Sequence, residues 1–137
     1  MNGDLAVIDV LRNNVLVAGF IGGTGVNNAR VFLSDAPQGA PMPFIIVDVY
    51  DTEPFDTKDG VSVTDHDLVK TFAYAETSKQ AVDLADAMRT ALDEKRGTFN
   101  GKTVINIRYM RYDGYNVDLI NRKAYVREQD YQVRIKN

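Results

Sequence analysis

The sequence has no cysteine, no tryptophan, one histidine and only four prolines among 137 residues. Without cysteine there are no disulfides and no thiolate metal sites, and no oxidising compartment is implied. Long apolar runs are also missing. The longest, Val15 to Ile21, falls far short of the roughly 20 residues that span a bilayer, so no membrane partner is expected. The opening Met-Asn-Gly-Asp has neither a basic region nor a small-residue cleavage pattern, which predicts synthesis in the cytoplasm without a secretory signal. Serine is confined to Ser34, Ser62 and Ser78, none of them in a nucleophile-elbow pattern.

What is present is ordinary for a globular chain: 45% hydrophobic and 26% charged residues, enough to bury one core as a single domain over residues 1–137. The net charge of −3 hides an asymmetry. Residues 1–100 hold 8 Lys/Arg against 15 Asp/Glu, a balance of −7, while residues 101–137 hold 8 against 4, a balance of +4. The acids are densest over 48–67, where Asp48, Asp51, Glu53, Asp56, Asp59, Asp65 and Asp67 face one base, Lys58. Such a stretch repels nucleic acid, and no helix carries a basic face that would bind it.

Apolar spacing predicts a first helix over 4–18, with Val7, Ile8, Leu11 and Val15 on one side and Ala6, Val10 and Val17 on another. A helix with two apolar sides is buried on both, or packs once on its own core and once on a neighbour. Residues 30–34 read as a short strand and lead into a proline-rich crossing at 37–43. The β-branched and aromatic run 44–50 is a strand. A polar excursion with Pro54 is expected over 51–60, then a strand over 61–74 with a bulge or bend at Asp65-His66-Asp67. Thr77 and Gln80 have capping-box spacing for a helix whose inner stripe is Ala81, Leu84, Ala85, Met88, Ala91 and Leu92, ended by Gly97. Asn100-Gly101 predicts a turn. A strand follows over 103–112, with Ile105, Ile107 and Tyr109 inward and Arg108 outward. A polar connection over 113–124 leads to a last strand over 125–135 with Tyr131, Val133 and Ile135 inward. The predicted fold is α+β, a mostly antiparallel sheet with two packed helices in the order α-β-β-β-α-β-β.

Two motifs suggest chemistry and neither has the right setting. Gly22-Gly23-Thr24-Gly25 follows a helix and precedes a strand, the reverse of a phosphate-binding loop, and lacks the lysine. Asp65-His66-Asp67 lies on a strand, which sends the two carboxylates to one face and the imidazole to the other. No cofactor, metal site or catalytic residue is expected.

The chain as a whole resembles the tail terminator (tail completion, or tail-to-head joining) proteins of long-tailed bacteriophages. The resemblance runs through the first helix, the phrase Ala36-Pro37-Gln38-Gly39-Ala40-Pro41-Met42-Pro43-Phe44-Ile45-Ile46-Val47, the helix from Thr77 to Leu92 and the end Asp130-Tyr131-Gln132-Val133-Arg134-Ile135. It implies a structural virion protein, made in the host cytoplasm, that closes into a hexameric ring on the tail tube. The ring stops tube growth and joins the tail to the head connector, while DNA passes through its lumen without specific binding. In such a ring the charge asymmetry nominates Asp51, Glu53, Asp56 and Asp59 to meet Arg108, Arg111, Arg122 or Arg127 of the next subunit. The competing readings are a small metal-dependent hydrolase built on the acidic segment and His66, and an adaptor domain of another assembly.

Overall fold

The computed structural model describes residues 3–22, 30–55, 64–119 and 122–136. Nine elements follow in chain order: α1 (Gly3–Arg12), α2 (Val15–Ile21), β1 (Val31–Leu33), β2 (Phe44–Phe55), β3 (Thr64–Ala75), α3 (Ser78–Leu92), β4 (Gly97–Phe99), β5 (Lys102–Leu119) and β6 (Arg122–Lys136). The strands form one six-stranded sheet in the order β1-β2-β3-β6-β5-β4, antiparallel except for the β1–β2 pair. The fold is therefore α+β as expected, with one more helix, one more strand and a mixed sheet.

The expected first helix is two helices. Asn14 takes an extended backbone and its side chain accepts from the Val17 N–H at 3.1 Å, so it starts α2 rather than continuing α1. Asparagine favours such caps over helix interiors because its side chain competes for backbone groups. On α1 both apolar sides are buried, Ala6 and Val10 as well as Val7, Ile8 and Leu11. Val15, expected to join them, lies beyond the break and is 80% exposed. Gly22 closes α2 in the left-handed conformation that glycine adopts without strain.

β2 runs on through Asp51–Phe55, where a loop was expected; residues 56–63 lie outside the described part. The irregularity sits at Tyr50 on β2, between the pairs Val49↔Val69 and Asp51↔Leu68. At Asp65, His66 and Asp67, where a bulge was expected, pairing is regular on both sides.

α3 starts as expected, with Thr77 accepting from the Gln80 N–H at 3.1 Å. It ends at Asp93 rather than at Gly97. Glu94 takes a positive φ just past the helix end, and Gly97, also at positive φ, opens β4. Asn100 and Gly101, both at positive φ, form the two-residue turn from β4 into β5. On β5 the register shifts between Val104 and Asn106, so Val104 and Ile107 are buried and Ile105, expected inward, points out. The strand continues through 113–119 and β6 starts at Arg122, so the expected connection over 113–124 is paired strand except at 120 and 121, which lie outside the described residues.

One sheet face carries the core. Val31, Ile45, Val47, Val69, Ile107, Tyr131 and Val133 meet α1, the Val17 and Ile21 side of α2, and the α3 stripe of Leu84, Met88 and Leu92. α3 packs over β6, β3 and β5. Inside this layer the Tyr131 hydroxyl donates to Gln129 at 2.9 Å, whose amide donates to the Ala85 carbonyl at 3.1 Å. Burial and the proximity of Tyr109 raise the Tyr131 pKa far above the ordinary phenol value, so it remains a neutral donor. Because Leu84 and Leu92 are fully buried, replacing either by Ala is expected to cost roughly 2–5 kcal/mol in denaturant unfolding. A loss well below 1 kcal/mol would contradict this packing.

Candidate subunit interface

The opposite face of the sheet carries no helix of the core cluster and divides into two regions. Toward Leu119 and Arg122 it is apolar: Phe44 stacks on Tyr74 at 4.7 Å, and Phe32 meets Phe44 edge-on at 6.0 Å. The proline-rich loop at 35–39 and Leu119 and Arg122 wall a groove of about 320 Å³ over Phe44, Ile46 and Tyr74. Farther up, the face is charged. Lys70 donates to Glu128 at 2.8 Å and lies 3.5 Å from Asp130. The bond to Glu128 foremost, with Asp130 adding, raises the Lys70 pKa above its ordinary value. Arg111 and Asp113 close a small cleft around the same three residues.

Strand register places these charges in rungs. Asp48, Lys70, Asp130 and Arg111 are successive partners across β2, β3, β6 and β5, and their signs alternate. The next rung is Asp51, Leu68, Gln132 and Arg108. Each rung thus begins with an acid at one side of the sheet and ends with an arginine at the other. β1 flanks β2 only at Ile45–Val47, and among the described residues no strand flanks it from Asp48 to Phe55. β4 flanks β5 only at Lys102–Val104. Beyond this, the turn after α3 satisfies β5: Glu94 N–H donates to the Ile107 carbonyl at 2.7 Å, and Tyr109 N–H donates to Asp93 at 3.2 Å.

Of the residues nominated from the sequence, Asp51 is exposed on the outer side of β2, while Arg108 and Arg111 are exposed on β5 at the opposite side. Glu53 pairs through its backbone with His66. Asp56 and Asp59 lie outside the described residues. Arg122 belongs to the groove wall. Arg127 donates to the Ser78 hydroxyl at 2.8 Å and lies over Gly114, where a side chain's first carbon would come within 2.5 Å of the guanidinium. Asp48 was not singled out as an interface residue, because its rung with Arg111 exists only once the register is known.

His66 and its flanking acids diverge as strand geometry requires. Arg134 donates to His66 Nε2 at 3.0 Å, and Gln132 bonds Nδ1 at 3.2 Å, so both ring nitrogens are engaged. Asp67 is fully buried on the helix side and accepts from the Gly3 N–H at 2.7 Å. Among the described residues no three His, Asp or Glu side chains gather as a metal site, and no helix is long and apolar enough to cross a membrane.

The two positions respond differently to substitution. His66→Ala is expected to leave folding and oligomeric state unchanged by circular dichroism and light scattering. Asp67→Ala strands a buried helix N–H and is expected to cost about 1–3 kcal/mol of stability. Equal effects would contradict this division.

The chain is similar both to a known protein family and to solved structures. The family model described as tail completion protein gp17 matches residues 5–135. A chain in the solved structure "Virion of native gene transfer agent (GTA) particle" superposes with a TM-score of 0.73 at 15% identity, covering 96% of this chain and 92% of that one. At that identity the likeness shows a shared fold. No curated protein matches the sequence.

Proposed function

Since the chain belongs to the tail completion protein gp17 family, we propose that it forms a ring, a hexamer, that caps the tail tube. As a member of that family it is a structural protein of a phage tail and a component of the virion. The finer role is that the ring ends tube polymerisation and presents a surface to the head connector. DNA passes through its lumen unread, and no catalysis is involved.

The observation that carries this reading is the pair of unlike sides on one sheet. A cyclic ring needs heterologous contacts, in which two different patches of each copy meet, and a closed ring leaves neither patch over. Asp48 and Asp51 at one side and Arg111 and Arg108 at the other supply two patches of opposite sign. Opposite charge favours head-to-tail contact and disfavours acid-to-acid or base-to-base docking. The virion setting of the structurally similar chain accords with this role.

Light scattering across a concentration series, with and without purified tail tubes, tests the reading. A discrete species of six chain masses is expected, or a six-copy ring on tube ends seen by electron microscopy. A chain that stays monomeric under all these conditions would refute it.

A further inference from the structure

We infer that, in the proposed ring on which this inference rests, neighbouring copies join side to side along the sheet, Asp51 of one facing Arg108 of the next and Asp48 facing Arg111. The occupant of the β2 side, which no described strand flanks from Asp48 to Phe55, is thus a second copy of this chain, presenting β5.

Four features of the sheet lead to this pairing. First, the residues share a level: Asp51, Leu68, Gln132 and Arg108 form one rung, and Asp48, Lys70, Asp130 and Arg111 another. A rotation about an axis along the strands keeps levels, so the acid ending a rung in one copy meets the arginine ending the same rung in the next. Second, the alternating signs of the charged rung continue without a break across such a joint, whereas any like-to-like contact would put two charges of one sign together. Third, strand direction is compatible. β2 and β5 run antiparallel within the sheet, and rotation preserves this, so the joint has the sense of an ordinary antiparallel pair. Fourth, the chain from Asp93 to Asp113 holds five bases against three acids, while that from Asp48 to Phe55 holds three acids and no base.

Side chains carry the joint. Glu94 and Asp93 already occupy the Ile107 carbonyl and the Tyr109 N–H, and Asp51 accepts from the Thr52 N–H at 2.9 Å. Neither strand therefore offers a full row of free main-chain groups at this height. The Asp51 carboxylate has a second oxygen for Arg108, and an arginine reaches across the remaining gap. Asp48 accepts from the Ser34 hydroxyl at 3.2 Å, and Arg111 lies beside Asp130. Asp51–Arg108 is therefore the principal pair, with Asp48–Arg111 in support. Exposed pairs are screened by salt, so assembly weakens as ionic strength rises.

The test exploits the absence of cysteine. The double variant Asp51→Cys, Arg108→Cys carries the only two thiols, both at exposed positions. With a short bismaleimide it is expected to give a covalent ladder ending at the ring size, while either single variant gives no covalent species. In parallel, Asp51→Arg and Arg108→Asp alone should each raise the concentration needed for assembly several-fold, and combining them should restore it. If the protein forms rings but the double variant is not linked, or the charge swaps leave assembly and its salt dependence unchanged, this joint is wrong and the ring stands. Covalent dimers from a single variant would mean a two-fold contact and would overturn the joint. A chain that never assembles overturns both readings.

Discussion

The contact between the Gly3 N–H and the buried Asp67 carboxylate fixes where the helical layer sits on the sheet. A carboxylate at a helix start satisfies a donor that the helix cannot satisfy itself and complements the positive end of the helix dipole. The space is tight: a first side-chain carbon on Gly3 would lie 2.7 Å from that of Asp67, so only glycine allows the approach. From that anchor α1 runs across the sheet with five buried apolar side chains, and it contacts α2, α3 and every strand except β5 closely. The core then forms on one face of the sheet, leaving the other for the charged rungs and the apolar groove.

That division separates two uses of charge. On the open face, Lys70 and Glu128 pair within the chain, and half-burial gives their bond more weight than a fully solvated pair would have. Toward the sides of the sheet the acids and arginines are more exposed, where their long-range field matters more than any single bond. The same antiparallel pairing that builds the sheet sorts the residues. An acidic segment and a basic segment about sixty residues apart in sequence end on opposite sides because β3 and β6 lie between them.

Much of this was legible in the sequence where local chemistry and tertiary packing agree. Thr77 and Gln80 with the Ala81–Leu92 stripe mark α3, because capping and a 3.6-residue period point the same way. Phe44 to Tyr50 and Tyr131 to Ile135 read as strands because β-branched and aromatic residues dominate or alternate there. The family resemblance likewise pointed to the family that the chain proved to match. Legibility failed where one residue changes the period. Asn14 turns one expected helix into two, and the shift at Ile105 turns that side chain out while Ile107 stays in the core. The polar segment 113–119 reads as a loop by composition, yet its backbone is satisfied by β6 and its side chains need no core. Of the nominated interface residues, Asp51, Arg108 and Arg111 lie at the sides of the sheet. Arg127 was nominated by charge alone, and charge says nothing of the Ser78 hydroxyl that holds it.

The sheet order also bears on how the protein is made. β6, the last strand in chain order, lies between β3 and β5. Until residues 122–136 emerge from the ribosome, β1-β2-β3 and β4-β5 are two separate half-sheets, and Tyr131, Val133 and Ile135 are absent from the centre of the core. A nascent chain can form α3 and the β4–β5 turn early, but it cannot yet hold the two halves at a fixed distance. The acidic and basic sides acquire their mutual spacing only when the final strand inserts. A chain without β6 therefore lacks a fixed spacing between these two sides.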